Sequence, residues 1–398
     1  MRRASVGTGL LFTLVLTACG GSGGSASAPT VEMVGPGSAL RGAAFEASLA
    51  PTGFAAGALT WRVVQGELPP GLGLEASGMC PTWAPFAKTG TVDDTVPGAL
   101  DEVSGIAVSR RNPGVYWVHD DSGGGALLYA LAHDGTLRQT YSLAATAIDW
   151  EDLALGPGPN PDVEYLYVGD VGDNGTNRAS VTLLRVEEPI VPAAPGPTID
   201  LSFEAFSFTY PGGAIDCEGL LLEPTTGKPY FVEKRDSGGG DVFALPLPLD
   251  PSWTPALPVT AERITMGRPM PSFATAADAS RDGRRVVVRT YFGGVEYVRQ
   301  PGQSFESIFE ETPCVLGLPS LQQFEAIAYG PSGLSLVTTT ERVLAEAALY
   351  TSTATLEAPT TKLVGAPTAV GTWTFTIEAR HGDGTSATVE ITLDVAGS

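Results

Sequence analysis

One layout recurs five times along the chain, and it restricts the fold more than any other feature. Each copy has an acidic or hydroxyl residue, a short apolar strand, a turn, a second apolar strand and a loop rich in Gly and Asp. The copies begin 47 to 67 residues apart, at Ser104, Glu151, Glu218, Thr275 and Glu325. Repeats of this length with three or four strands each are typical of β-propellers. Glycine at 49 and proline at 32 of 398 positions also disfavour a helical bundle, because both residues interrupt helices.

These repeats predict an all-β chain with a five-bladed β-propeller over residues 79–361, and six blades are the alternative. A third strand follows the first two in each copy. The last copy lacks a fourth strand, and residues 83–95, which precede the first copy, could supply it. That strand would close the ring and cover the edge of the last sheet.

Two distant segments flank the repeats. Residues 61–74 read WRVVQGELPPGLGL, and residues 365–377 read GAPTAVGTWTFTI. They resemble the two halves of one bacterial immunoglobulin-like module, with its W-x-V, G-x-L-P-P-G-L-x-L and G-x-P-T-x-x-G patterns. The resemblance implies a β-sandwich split into residues 30–78 and 362–398, with the propeller inserted between them. We expect this sandwich to serve as a stalk.

The N-terminus has the order of a bacterial lipoprotein signal. Two arginines are followed by an apolar stretch from Val6 to Leu16 and by Leu16-Thr17-Ala18-Cys19. The resemblance implies a signal peptide over residues 1–18, lipid on Cys19 and a flexible tether over residues 19–29. It also implies a membrane-anchored protein of the cell envelope facing outside the cytoplasm, on the outer membrane if the cell is Gram-negative. The alternative is an ordinary secretory signal with a chance cysteine.

Three further cysteines bear on an exported chain. Cys80 and Cys314 are the pair that we expect to be oxidised, and an odd count leaves one thiol unpaired.

When the five copies are aligned, their first residues form one column, and each side chain in this column carries a carboxylate or a hydroxyl group. In a propeller the first strand of each blade lines the central channel, so Ser104, Glu151, Glu218, Thr275 and Glu325 would surround one mouth of it. Carboxylates this close raise each other's pKa unless a cation lies among them. A ring of oxygen ligands suits Ca²⁺ better than Zn²⁺. The alternative is that these residues cap strands by bonding backbone N–H groups.

This column resembles the Ser-Glu-Glu-Ser-Glu ring of the calcium-activated nucleotidase (apyrase) family, and Thr275 stands where the family has serine. The loop at residues 119–123, HDDSG, is similar to the family's D-D-R-T-G, although Ser122 stands near the position of the arginine. The resemblance implies one Ca²⁺ in the channel of a five-bladed propeller. It also implies calcium-dependent hydrolysis of phosphoanhydride or phosphoester bonds.

Loops that follow the second strands should surround the predicted ring. They offer three catalytic candidates, which are His119, Asp120 and Asp121. They and the neighbouring residues offer six ligand-binding candidates, which are Trp150, Asp170, Asp173, Lys234, Arg235 and Arg289. The three basic residues favour an anionic ligand group beside the metal, and Trp150 could stack on a base or a sugar. The alternatives are turn formation for the loop residues and core packing for Trp150.

Two functions are therefore open. The first is a lipid-tethered, calcium-centred propeller that binds an extracytoplasmic ligand, and the second is a calcium-dependent hydrolase of the apyrase kind. Whether the chain is an enzyme is left open at this point. A net charge of −21 disfavours nucleic acid as a partner, and we expect a monomer.

Overall fold

The computed structural model describes residues 28–55, 59–75, 80–92, 100, 102–121, 125–265, 270–299, 303–319, 324–340, 347–358 and 361–397. The chain divides into two compact units, residues 1–82 with 355–398 and residues 83–354. Strands dominate both units. No helix among the described residues is long and apolar enough to cross a membrane. The predicted signal peptide, Cys19, Ser122 and most of the predicted tether lie outside the described residues.

The larger unit consists of sheets that each start at one predicted repeat. Four strands form the body of each sheet, and adjacent strands are antiparallel. Blade 1 contains Val103–Val108, Val115–Asp120, Leu127–Ala132 and Leu137–Leu143. Blade 2 contains Trp150–Pro157, Glu164–Asp170, Val181–Glu187 and Glu204–Thr209. Blade 3 contains Cys217–Leu222, Pro229–Glu233, Val242–Ala244 and Glu262–Arg263. Blade 4 contains Ala274–Ala279, Arg285–Thr290, Gly293–Val298 and Cys314–Leu316. Blade 5 contains Phe324–Tyr329, Ser335–Thr340, Ala348–Ala358 and Ala87–Thr91. Two short strands, Ile199–Leu201 and Val259–Thr260, extend blades 1 and 2 in parallel.

The first strand of each sheet, which we call the inner strand, takes part in a closed ring. The inner strand of every blade contacts that of the next, and the inner strand of blade 5 contacts that of blade 1. This arrangement confirms the predicted all-β propeller. The short apolar strands and intervening turns of the repeat are local signals, which explains why the sequence predicts them well.

Ring closure uses the strand that precedes blade 1. Ala87–Thr91 pairs with the third strand of blade 5, so that Thr91 lies opposite Ala348 and Ala87 opposite Thr351. The prediction that residues 83–95 supply the missing fourth strand is therefore confirmed. The last sheet gains a fourth strand on what would otherwise be an open edge.

Apolar layers between neighbouring blades hold the ring together. Each of the five interfaces contains its own cluster of buried side chains. Between blades 2 and 3, for example, the rings of Phe208 and Phe231 lie 4.6 Å apart. Full burial of one such side chain contributes about 1.5–3 kcal/mol, so these layers dominate the stability of the propeller.

Two buried carboxylates connect inner strands through the backbone. Asp152 Oδ2 accepts hydrogen bonds from Leu220 N–H at 2.8 Å and Ala277 N–H at 2.9 Å, which joins blade 2 to blades 3 and 4. Asp278 Oδ2 accepts one from Tyr329 N–H at 2.7 Å, which joins blade 4 to blade 5. Both carboxylates thus link the blades below the channel mouth.

The smaller unit contains two sheets built from both ends of the chain. One sheet has the order Thr30–Val34, Phe45–Thr52, Thr361–Gly365 and Leu72–Glu75. The other has the order Ser38–Leu40, Ser386–Ala396, Gly371–His381 and Leu59–Gly66, followed by residues 356–358. The two flanking sequence segments pair directly, since Gly66 lies opposite Phe375 and Leu72 opposite Gly365. Its assignment as an immunoglobulin-like module stays a prediction.

The cysteines agree with the expected oxidation states. Cys80 and Cys314 are disulfide-bonded, and Cys217 is a free, buried thiol in the inner strand of blade 3. Burial raises the pKa of the Cys217 thiol well above its usual range, so this cysteine behaves as a core residue.

Candidate metal centre

The residues of the predicted ring occupy one equivalent position in the five blades. In blade 1 the pairing shifts between Val103 and Gly105, which leaves Ser104 as an extra residue in a β-bulge. The same shift surrounds Glu151, Glu218, Thr275 and Glu325. Bulges redirect side chains out of the regular alternation of a strand and are frequent beside functional sites.

Only part of this ring gathers at one point. Ser104 Oγ donates to the backbone carbonyl of Glu151 at 2.5 Å, and Thr275 Oγ1 donates to that of Phe324 at 3.1 Å. Both hydroxyls thus bond the inner strand of the next blade, which is close to the alternative of strand capping, although the acceptors are carbonyls rather than N–H groups. Glu325 belongs to neither of the carboxylate groups described below.

Two groups of three carboxylates meet at the mouth of the channel. Asp121, Asp149 and Glu151 each contribute an oxygen within 4.8 Å of the others, and we call this group the first triad. Glu151, Asp216 and Glu218 do the same and form the second triad. Glu151 belongs to both, so five carboxylates from blades 1 to 3 adjoin one another.

Sequence reasoning missed Asp149 and Asp216 as site residues. Both lie two positions before a ring glutamate, in Asp149-Trp150-Glu151 and Asp216-Cys217-Glu218. Blade 1 has the related order Glu102-Val103-Ser104. This repeated spacing, an acidic residue two positions before the ring residue in three consecutive blades, is the signal that could have found them.

The carboxylates perturb one another strongly. Burial, and then the neighbouring charge of Asp149, raise the pKa of Asp121 to about 8. Burial raises the pKa of Glu218 to about 7 despite the opposing charge of Lys234. Burial, and then the charges of Glu218 and Asp121, raise the pKa of Glu151 well above its usual range. Either protons or cations are needed to relieve this repulsion.

Three features of the site fit a cation. Asp121 Oδ1 is buried and has no hydrogen-bond partner in the described part of the chain. Glu151 is 4% exposed, and the hydrogen bond described for its carboxylate comes from Ser104 Oγ at 3.5 Å. A Cβ at Gly172 would lie 2.0 Å from Glu151 Oε1 and 2.6 Å from Asp149 Oδ2, so the glycine makes room for both carboxylates. The donor atoms are all oxygens, which suits Ca²⁺.

Lys234 lies at the site, as predicted, but it is paired with a carboxylate. Its ammonium group donates to Glu218 Oε1 and, at 2.9 Å, to the hydroxyl of Tyr291. The charge of Glu218 raises the pKa of Lys234 against the opposing effect of burial. Lys234 is therefore the positive charge that the fold itself supplies to the second triad.

The other two basic candidates do not reach the carboxylates. Arg235 Nε donates to Glu233 at 2.8 Å. Arg289 is fully buried, donates to the carbonyl of Pro319 at 2.8 Å and stacks 4.2 Å above the ring of Phe324. Burial lowers the pKa of Arg289 to about 9. Lys234 is therefore the one of the three predicted basic residues for which a contact with the triads is described, and the binding of an anionic ligand by all three stays a prediction.

Among the other candidates, His119 and Trp150 belong to the core. Both are fully buried between blades 1 and 2, with their rings 5.5 Å apart and nearly perpendicular. Burial lowers the pKa of His119 to about 4. Trp150 therefore follows the alternative of core packing, and its ring offers no surface for a ligand. Asp120 Oδ1 accepts the N–H of Glu102 at 2.8 Å, so it supports the loop rather than the triads.

Asp170 and Asp173 organise the loops behind the triads. Asp170 forms an ion pair with Arg178 at 2.8 Å and accepts the N–H of Asp149 at 3.2 Å. Asp173 accepts the N–H groups of Asn177 and Arg178 at 3.0 and 2.8 Å. These contacts are typical of turn formation, which was the alternative for both residues.

A cleft of about 260 Å³ adjoins the second triad. Its walls include Asp173, Arg178, Val181, Phe208, Tyr210 and Ile215. The N–H of Asp173 donates to Asp216 Oδ1 at 3.0 Å, which connects the cleft to the carboxylates. The hydroxyl of Tyr210 is buried. The walls of the cleft are thus partly apolar, and Asp173 and Arg178 add charged groups to them.

The comparisons with known proteins give distant structural matches. No family model and no curated protein matches the chain. Among solved structures, a gluconolactonase from Xanthomonas campestris aligns with 69% of this chain over 100% of its own length, with 10% sequence identity and a TM-score of 0.34. The Dos1 propeller aligns with 76% of this chain over 97% of its own length, with 11% sequence identity and a TM-score of 0.28. The propeller assignment therefore rests on the sheets and their closed ring.

Proposed function

We propose that the propeller binds calcium at the two triads and uses the bound metal to hold an extracytoplasmic ligand. The observation that carries this proposal is the position of Glu151. Glu151 is 4% exposed, its carboxylate has oxygens of other carboxylates from both triads within 4.8 Å, and its Oε2 lies 3.5 Å from Ser104 Oγ, whose proton is donated to the Glu151 backbone carbonyl. A charged group buried in this way is costly unless a cation compensates it.

Calcium is the cation that the donor atoms favour. Ca²⁺ takes six to eight oxygen ligands, including one or both oxygens of a carboxylate, at about 2.3–2.6 Å. The triads supply oxygen donors and contain neither histidine nor cysteine, which are the ligands that zinc favours. The residues that would hold calcium are those of the first triad, Asp121, Asp149 and Glu151, and those of the second, Glu151, Asp216 and Glu218.

The charges favour a neutral ligand over an anionic one. Lys234 is paired with Glu218, Arg235 donates to Glu233, and Arg289 is fully buried and donates to the carbonyl of Pro319. A ligand with hydroxyl or carbonyl oxygens could therefore replace water on the metal without adding negative charge. The adjoining cleft would receive an apolar group of that ligand against Val181, Phe208 and Ile215.

Thermal unfolding with calcium and with a chelator tests the metal. We expect calcium to raise the Tm and Glu151→Gln to abolish the rise. A Tm that changes neither with calcium nor with the chelator would contradict the proposal.

Binding of glucose and of phenyl glucoside, measured by calorimetry with and without calcium, tests the neutral ligand. We expect binding to depend on calcium and to be stronger for phenyl glucoside than for glucose. Ala214→Phe, in the wall of the cleft, should weaken the binding of phenyl glucoside.

A hydrolase is the second candidate, because a cation held by the triads could activate a bound water molecule. Asp121 would be one of the ligands of that cation. The metal would polarise a phosphoryl oxygen and orient water. Calcium-dependent phosphate release from pyrophosphate or p-nitrophenyl phosphate that disappears in Asp121→Asn would favour this candidate. The engagement of the basic residues favours the binding function.

For its location, we propose a lipid anchor on Cys19 at the cell envelope, with the smaller unit as a stalk. The support is the sequence order of the first 19 residues. Mass spectrometry of the protein extracted from membranes would detect the lipid. Cys19→Ser should release the chain into the soluble fraction.

A further inference from the structure

The carboxylates at the channel mouth exceed what one cation can bind. We propose that the site holds two divalent cations, one in each triad, and that Glu151 bridges them. This inference rests on the proposed metal binding and adds its stoichiometry.

The spacing of the carboxylates supports two positions. Two ligands of a single Ca²⁺ can be no more than about 5 Å apart, because each lies about 2.3–2.6 Å from the ion. Each triad meets this limit with one oxygen from each residue, and Glu151 is the residue that the two triads share. A cation in the first triad would be bound by Asp121, Asp149 and Glu151, and a cation in the second would be bound by Asp216, Glu218 and the same glutamate.

Glu151 has the properties of a bridging ligand. It is the residue that the two triads share, and its side chain is 4% exposed. Oε2 lies 3.5 Å from Ser104 Oγ. Oε1 lies beside Gly172, where a Cβ would approach it to 2.0 Å. Because Glu151 belongs to both triads and is buried, each of its two oxygens could bind a different cation.

The charge balance agrees with two cations. Two divalent cations and the ammonium group of Lys234 together match the negative charge of the five carboxylates. A single cation would leave two negative charges in a site where Glu151 and Glu218 are almost completely buried. Excess charge of this kind is strongly unfavourable away from water.

Metal stoichiometry tests the inference directly. The mature chain is stripped of metal and titrated with Ca²⁺ by calorimetry at pH 7.5, and the bound ions are counted by native mass spectrometry. We expect two Ca²⁺ per chain. Asp149→Asn should remove the ion of the first triad, and Asp216→Asn should remove that of the second, so that each variant binds one. Glu151→Gln should weaken both ions at least tenfold.

Glu325→Gln is the matched control, because Glu325 has the same bulge position but lies outside both triads. It should still bind two ions. One ion in the unaltered chain at every calcium concentration would overturn the second cation and leave the proposed function intact. No bound ion would overturn both. The count in the unaltered chain is decisive even if a variant fails to fold, and circular dichroism identifies such a variant.

Discussion

At the scale of single residues, the carboxylate site depends on a position without a side chain. Gly172 borders Glu151 and Asp149, and a Cβ there would lie 2.0 Å and 2.6 Å from their carboxylate oxygens. We expect Gly172→Ala to displace both carboxylates and to weaken Ca²⁺ binding at least tenfold. Gly317→Ala is the control, because a Cβ at Gly317 meets nothing within 4 Å. Calorimetric titration of both variants measures the effect, and equal affinities would contradict it.

Lys234 competes with calcium for Glu218. Its ammonium group occupies Glu218 Oε1 and adds a positive charge beside the second triad. We expect Lys234→Met to raise the affinity for Ca²⁺ several-fold and to lower the Tm of the metal-free protein, since the carboxylates then repel one another without a counter-charge. Tyr291→Phe, which removes the 2.9 Å contact that holds Lys234, should act in the same direction but less. A lower affinity in Lys234→Met would show that the lysine supports the metal instead.

At the scale of strands, the inner ring depends on carboxylates that bond the backbone of other blades. Asp152 accepts N–H groups from Leu220 and Ala277, and removing the carboxylate leaves these two buried donors unpaired. We expect Asp152→Ala to lower the free energy of unfolding by about 2–6 kcal/mol, because each of the two unsatisfied buried donors costs about 1–3 kcal/mol. Asp200→Ala, at an exposed position of a blade edge, should change it by less than about 0.5 kcal/mol. Urea unfolding measures both, and similar values for the two variants would refute the role of Asp152.

The strands show which parts of the molecule the sequence could predict. Each blade repeats apolar strands and turns such as Asp282-Gly283, where Gly283 has a φ of 65°. These signals are local, so the order of the strands and even the closing strand at residues 87–91 followed from them. The bulge at each ring residue is also local, but it changes which side chains point into the channel. For this reason Trp150, next to a ring glutamate, lies in the core instead of at the mouth.

The carboxylate site was only partly predictable because it joins three blades. Glu151 and Glu218 followed from the repeated column, whereas Asp121 was expected as a catalytic residue and Asp216 was not expected at all. Their convergence depends on loops between blades, which are held by contacts such as Asp173 N–H to Asp216 Oδ1 at 3.0 Å. Arg289 was misjudged for a related reason. A charged residue predicts exposure, and the stacking of this one on Phe324 is a tertiary contact.

At the scale of the whole molecule, part of the net charge of −21 is concentrated at one site. Five of the acidic residues adjoin one another at one mouth of the propeller, and two of them, Glu151 and Glu218, are buried. Protonation and metal binding are thus alternative ways of stabilising the same fold. The acidity of the chain is therefore linked to its stability at that mouth, in addition to its effect on solubility.

This linkage predicts how stability changes with pH. The pKa of Asp121 is raised to about 8 and that of Glu218 to about 7, chiefly by burial, from about 3.9 and 4.3 in unfolded chains. The folded metal-free protein therefore binds these protons more tightly than the unfolded chain. The resulting stability is fully present below about pH 4 and is lost as pH rises through 7 and 8.

We expect the Tm of the metal-free protein to fall as pH rises from about 6.5 and to level off above about pH 8, because below that pH the folded chain still holds protons that the unfolded chain has lost. His119 does not disturb the measurement, because its pKa is lowered to about 4 by burial and an unfolded histidine is largely neutral above about pH 6.5. Saturating calcium should replace the protons and flatten the curve, so that the rise in Tm on adding calcium increases with pH. Differential scanning calorimetry in both conditions measures this rise. A calcium effect that shrinks toward pH 8.5 would contradict competition between protons and metal at the triads.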